Sequence, residues 1–221
     1  MCGRYSFVPS SHQIETYLRD IYLPEEITFS PHIAPTEYAW VVTSEQPYAL
    51  QAMQWGLVPA WSKEFRPSGR TINARMETMF EKPSFREAAR YRHCLVPADS
   101  FYEWRRQLQG QHIPYRIMPA DGSLLFMAGI WEEWRRAGEA HRTFAIITVP
   151  ASRQLTELHD RMPALLLTEE ARSAWLRGDL SDNAWLQLLS HTLSDTYLTW
   201  YRISDRLNKP SFKDPILHEP V

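Results

Sequence analysis

From His93 to Val149 the chain reads HCLVPADSFYEWRRQLQGQHIPYRIMPADGSLLFMAGIWEEWRRAGEAHRTFAIITV, and the pattern of this segment sets the fold class. His93–Val96 is short and apolar. Phe101–Arg105 and Ile113–Met118 flank a loop that contains Gly110. Asp121-Gly122 is a turn signal ahead of Leu124–Ile130, and Ala137–Glu139 turns the chain back into Thr143–Val149. Short turns join antiparallel neighbours, whereas parallel strands need long crossovers. The expectation is an α+β protein with a strongly curved, mostly antiparallel sheet or barrel and peripheral helices.

Working outward, Ser10 with Gln13 three residues on makes a capping box, and Ile14, Leu18 and Ile21 follow at helical spacing. Tyr38–Thr43 and Tyr48–Gln54 read as strands. Pro83–Arg90 reads as a short helix with proline in its first turn. Thr168–Arg177 is helical and ends at Gly178, Ser181 caps a helix through Leu189, and Thr199–Ile203 is a last strand. The polar run Asn73–Thr78 reads as a loop. No repeat, low-complexity segment or linker divides the 221 residues, so residues 1–221 are expected to form a single domain.

Composition narrows the function. Apolar residues make up 44% of the chain, close to the ordinary globular range, which excludes a wholly disordered chain. No apolar run is long enough for a membrane span, and the first residues lack a basic-then-apolar leader. Two cysteines make no disulfide scaffold and lack zinc spacing, so no metal and no cofactor are expected. A reducing, cytoplasmic location follows. The net charge is -2, yet the cations are 20 Arg to 4 Lys. Trp61–Met118 holds 11 Lys and Arg against 6 Asp and Glu, the pattern of a local basic face or of solvated Arg–Glu pairs. Nine Trp beside many Arg suit base stacking on a single strand.

The start, Met1-Cys2-Gly3-Arg4, carries the most chemistry. Small second residues allow removal of the initiator, which leaves Cys2 with an α-amine and a thiol two carbons apart. The amine has a reference pKa of about 7.7–8.0 and is partly neutral near pH 7. It condenses with an aldehyde to an imine, and the thiol closes a five-membered thiazolidine, helped by proximity. Glu103 stands among Phe101, Tyr102 and Trp104, where it either faces solvent from a strand or is desolvated, which raises a carboxyl and suits it to proton shuttling. His159, in His159-Asp160-Arg161-Met162-Pro163, suits acid–base work near neutral pH.

These segments together resemble the SOS-response-associated peptidase (SRAP) family of abasic-site processing proteins. The matching stretches are Met1-Cys2-Gly3-Arg4, Ile33-Ala34-Pro35-Thr36, Trp55–Trp61, Asn73–Thr78, Cys94–Pro97 with Phe101–Trp104, and His159–Pro163. They lie in the family's order and cover nearly the whole chain. The resemblance implies a barrel-like domain that senses abasic sites in single-stranded DNA and forms a covalent protein–DNA crosslink. It implies Cys2 as nucleophile, Asn73 holding the Cys2 end and the sugar, Glu103 deprotonating the amine, and His159 as acid and base on the opened deoxyribose. Arg4 and Arg75 would hold flanking phosphates and Trp61 would line the strand path, with Pro35, Trp104 and Arg161 completing the DNA-facing set. It also implies removal of the protein's own Met1, abasic-site lyase chemistry, slow crosslink reversal, a monomer and residence at the nucleoid.

Three places depart from the family pattern. Ser100 stands where Gly is usual, which bears on the turn presenting Glu103. His32 stands where Asn is commoner, and Ile203 with Leu207-Asn208 only approximates the family's ending. Two other functions remain open on the residues: an N-terminal-nucleophile amidohydrolase using Cys2, and a non-covalent reader of modified bases using the same Trp and Arg.

Overall fold

The computed structural model describes residues 2–106, 110, 112–190 and 196–221. Met1, on which the reading of initiator removal falls, lies outside the described residues. The strands in chain order are β1 (Arg4–Phe7), β2 (Ser30–Ile33), β3 (Tyr38–Thr43), β4 (Gln51–Trp55), β5 (Asn73–Arg75), β6 (His93–Ala98), β7 (Ser100–Arg106), β8 (His112–Pro119), β9 (Leu125–Arg136), β10 (Glu139–Pro150), β11 (Arg161–Pro163) and β12 (Leu198–Arg202). The helices are α1 (Ser11–Tyr17), α2 (Arg86–Tyr91), α3 (Glu169–Arg177) and α4 (Asp182–Leu189).

Five strands close on themselves in the order β10-β4-β3-β6-β9 and back to β10. The ring is antiparallel except where Thr143 and Phe144 of β10 run parallel to Gln54 and Trp55 of β4. The β9–β10 hairpin turns at Ala137 and Gly138, both with positive φ, 52° and 86°. Two such residues match the right-handed strand twist, so the hairpin holds register from Arg136↔Glu139 inward. Gly129 on β9 leaves no room for a side chain, because an added Cβ would stand 2.8 Å from the Cys94 sulfur.

Of the remaining strands, β5 and β11 pair with β10, and five form an antiparallel sheet in the order β12-β8-β7-β1-β2. This sheet packs on the ring through aromatics. Tyr5 of β1 meets Trp55 edge-on at 5.2 Å between ring centroids, and Trp55 stacks on Phe144 at 6.3 Å. All three are buried, as core aromatics of this size contribute most when fully desolvated. Helices α3 and α4 cover one outer face, where Trp175 and Trp185 enclose His93.

The chain passes from ring to second sheet at Asp99, between β6 and β7. Its carboxylate accepts from the Val8 amide at 2.6 Å, the Ser6 hydroxyl at 2.8 Å and Arg116 at 2.8 Å. Ser100 adds its hydroxyl to this corner, 2.5 Å from the Ser6 oxygen and 2.8 Å from the Arg116 Nε that donates to it. Ser100 has no positive φ, so the side chain enters the network without a strained backbone. At the other departure, His32 is buried and its Nδ1 lies 2.9 Å from the Phe212 carbonyl, which fastens the C-terminal segment to β2.

Three expectations change. Asn73–Thr78 is not a loop: Asn73–Arg75 pairs in parallel with Ile146–Thr148 of β10, and Met76–Thr78 forms a 3-10 turn. The helix read from Pro83 starts at Arg86, and Pro83 lies in the turn before it. The strands β1, β2 and β11 were not anticipated; each is three or four residues long and depends on partners distant in the chain. No helix among the described residues is long and apolar enough to cross a membrane.

Candidate active site

Cys2 lies just before β1 and is fully buried. Its carbonyl accepts a hydrogen bond from Asn73 Nδ2 at 2.7 Å. Asn73 can reach it because β5 is pinned to β10, Asn73 opposite Ile146. The Cys2 thiol points to the Arg4 carbonyl, with sulfur and oxygen 3.6 Å apart. Burial pushes this thiol well above its ordinary pKa, and the nearby charge of Glu103 pushes the same way. The sulfur therefore rests as a neutral thiol and needs a base to react.

Glu103 is on β7, one residue beyond the Arg4↔Tyr102 pair that joins β7 to β1. It is 3% exposed. Burial raises its carboxyl to about 7, against partial relief that includes the Trp104 amide, and the charge of Asp160 adds to the rise. A carboxyl with this pKa both accepts and releases a proton at neutral pH.

His159 follows the 3-10 turn Leu155–Glu157, and its amide donates to the Leu155 carbonyl at 3.0 Å. Its Nδ1 faces two groups at once, the Arg161 amide at 3.0 Å and Asp160 Oδ1 at 2.8 Å. One nitrogen cannot serve both in one protonation state. In the neutral ring Nδ1 accepts from the Arg161 N–H and Nε2 carries the proton. In the charged ring Nδ1–H donates to Asp160. Burial holds the ring's pKa below its ordinary value, so the neutral form prevails at rest.

Glu103 and His159 line one open cavity of about 410 Å³ with Trp104, Arg106, His112 and Asn208. The Trp104 indole N–H donates to Asn208 Oδ1 at 2.9 Å, which fixes the ring in the wall. The structure thus gathers Cys2, Asn73 and Glu103, and joins His159 to them through the cavity.

The other anticipated residues take different positions. Arg4 is half-buried, its Nη1 on the Gly3 carbonyl at 2.7 Å. Arg75 is exposed at the end of β5. Trp61 is 66% exposed, with its indole N–H directed at the Pro83 carbonyl at 3.4 Å. Pro35 is half-buried before Thr36, which holds φ at 70° and donates its amide to the Trp55 carbonyl at 2.8 Å. Arg161 is spent inside the protein: its fork grips Glu77, 3.0 Å from Oε2, and it also donates to the Thr148 carbonyl. That grip, first of all by hydrogen bonding, holds the Glu77 carboxyl below its usual range.

Sequence reading did not single out Asp160, Arg106, His112 or the role of Asn208 beside Trp104. Asp160 sits inside a quoted motif, so proximity to His159 was available as a signal. Arg106 and His112 meet only through the β7–β8 register, which no local pattern announces.

Residues 1–210 match the family described as SOS response associated peptidase (SRAP). The chain is similar to "Abasic site processing protein YoqW" of Bacillus subtilis (strain 168), 35% identical over 223 residues that cover 99% of each chain. It is similar to "Abasic site processing protein HMCES" of Mus musculus, 37% identical over 194 residues covering 74% of this chain and 54% of that one. A crystal structure of a protein from Bacteroides thetaiotaomicron superposes over 100% of both chains with a TM-score of 0.85 at 29% identity. By sequence and by fold alike, the chain belongs to the SOS response associated peptidase family.

Proposed function

We propose that this protein processes abasic sites in single-stranded DNA, and that after loss of Met1 it captures the lesion covalently through Cys2. The observation that carries the reading is the grip of Asn73 on the Cys2 carbonyl beside a buried, proton-exchanging Glu103. An abasic deoxyribose exists partly as a ring-opened aldehyde. Glu103 takes a proton from the Cys2 ammonium, and the freed amine adds to the aldehyde carbon. Loss of one water gives an imine. The thiol sulfur then bonds to the same carbon as its proton passes to the nitrogen, which closes the thiazolidine. Protonated Glu103 assists reopening of the ring in reversal.

Cys2 is buried in the chain that still carries Met1. Hydrolysis of the Met1–Cys2 bond therefore comes first, and the sugar enters from the cavity shared by Glu103 and His159. His159 exchanges a proton with the opened sugar through Nε2 while Asp160 stabilises the imidazolium, which serves lyase chemistry and reversal. Arg4 and Arg75 neutralise phosphates, and Trp61 and Trp104 offer ring faces to neighbouring bases. Arg161 acts by bracing the His159 segment through Glu77. Binding through phosphates and stacking reads no sequence and weakens steeply with salt. The protein acts as a single-domain monomer and needs no metal.

Mass spectrometry after incubation with a single strand bearing one abasic site tests the reading. The expected product is the chain without Met1 plus the strand minus one water, with the bond on Cys2. An adduct on a chain that retains Met1, or hydrolysis of glutamine with no adduct, would overturn it.

Glu103→Gln separates the proton-transfer role from a structural one. Crosslink formation in the wild type should rise through an inflection near pH 7, where the carboxyl ionises. The variant should lose that inflection and slow roughly a hundredfold. Stability moves the other way. A carboxyl raised by burial favours the folded state while protonated, and that advantage fades as pH climbs from the unfolded value through 7. Urea unfolding should find the variant more stable at pH 8 by on the order of 3 kcal/mol and unchanged at pH 4. Equal pH profiles for the two proteins would remove Glu103 from the chemistry.

A further inference from the structure

We propose that Arg106 and His112 form a second phosphate subsite, separate from Arg4 and Arg75, which holds the phosphodiester next to the abasic sugar. The inference rests on the DNA-processing reading above. Arg106 and His112 are directly opposite in the β7–β8 register, and Trp104 is opposite Pro114. Cross-strand partners and residues two apart share a sheet face. Trp104, Arg106 and His112 therefore make one surface, and all three line the cavity that holds Glu103 and His159.

Arg92, Arg116, Arg142 and Arg161 each meet a carboxylate. Among the described residues Arg106 makes no ion pair and no side-chain hydrogen bond. Arg106 lines the same cavity as His159, whose ring is held below its ordinary pKa first by burial and last by the charge of Arg106. A planar cation without a carboxylate, an imidazole beside it and an aromatic wall match a phosphodiester whose neighbouring base stacks on Trp104. The surface belongs to the β7–β8 hairpin, whereas Arg4 and Arg75 stand on β1 and β5. The two groups thus take different phosphates along the strand.

The test uses the Cys2→Ala chain and a single strand containing one tetrahydrofuran abasic analogue, so that no aldehyde chemistry intervenes. Arg106→Gln should raise Kd about tenfold and flatten the dependence of log K on log salt by about 0.7, the release of one counterion from a single strand. His112→Gln should raise Kd about threefold. One methylphosphonate walked along the strand should find a single linkage next to the lesion where the parent loses as much as Arg106→Gln does, and where the variant loses nothing more. Unchanged affinity and salt slope in Arg106→Gln, or a loss that persists at every methylphosphonate position, would overturn the subsite. Failure of the wild type to crosslink an aldehyde strand would instead refute the covalent reading and leave these binding results standing.

Discussion

Cys2→Ala should reduce the crosslink from near completion to none, while affinity for a strand with a tetrahydrofuran abasic analogue changes less than about threefold. The asymmetry follows from chemistry. Alanine keeps an α-amine, which still forms an imine, but nothing closes the ring and water reverses the bond. Cys2→Ser should behave alike, because a hydroxyl is a far poorer nucleophile than a thiol. Borohydride should trap the imine in both variants, and without reduction neither adduct should survive denaturing electrophoresis. A durable unreduced adduct on either variant would place the covalent bond elsewhere than on the sulfur. On the proposed reading the non-covalent term is spared, because the phosphate and stacking contacts are assigned to Arg4, Arg75, Arg106 and the Trp faces, whereas Cys2 is fully buried.

Asp99→Ala should cost about 3–5 kcal/mol of stability, the usual penalty for stranding one member of a buried ion pair. Asp99 is 6% exposed and binds Arg116, the Ser6 hydroxyl and the Val8 amide together. Alanine leaves a guanidinium with 13% side-chain exposure and an amide without their acceptor. Asp99→Asn retains two of the three bonds and should cost less than half as much. Urea unfolding at pH 7 measures both. A loss under 1 kcal/mol for the alanine variant would mean that the corner relaxes and water takes over its bonds. The corner joins β1, which follows Cys2, to β7, which carries Glu103, so crosslinking should fail at temperatures where the wild type still works.

The same corner shows what the sequence could and could not reveal. In sequence, Ser100 is a departure that bears on the turn before Glu103. The structure makes it part of a polar cluster around Asp99, joined by Arg116 from the neighbouring β8 and by Ser6 from β1, far from it in the chain. Local signals fared well where the physics is local. The Ser10–Gln13 capping box, Gly178 with φ of 71° at the end of α3, and the Ala137–Gly138 hairpin stand as expected. Glu103 among aromatics is indeed buried, with a raised carboxyl. What stayed hidden depends on pairing across the chain. Asn73–Arg75 is too polar and short to read as a strand, and β10 supplies its ladder. The ring closes through a parallel contact between β4 and β10, while turn signals speak only for antiparallel neighbours. His112 resembles any polar hairpin residue until Arg106 is placed opposite it.

Strand β10 has one further consequence. Near its end it carries β5 on one side, through Ile146 and Thr148, and β11 on the other, through Thr148 and Pro150. Asn73, opposite Ile146, and the segment leading from His159, with Arg161 opposite Pro150, are thus mounted on opposite edges of a single backbone, edges that lie two strand spacings or about 10 Å apart across the sheet. That gauge is set by peptide geometry, which every amino acid shares. Side chains along β10 can drift through evolution without altering the spacing between the strands it holds on its two edges.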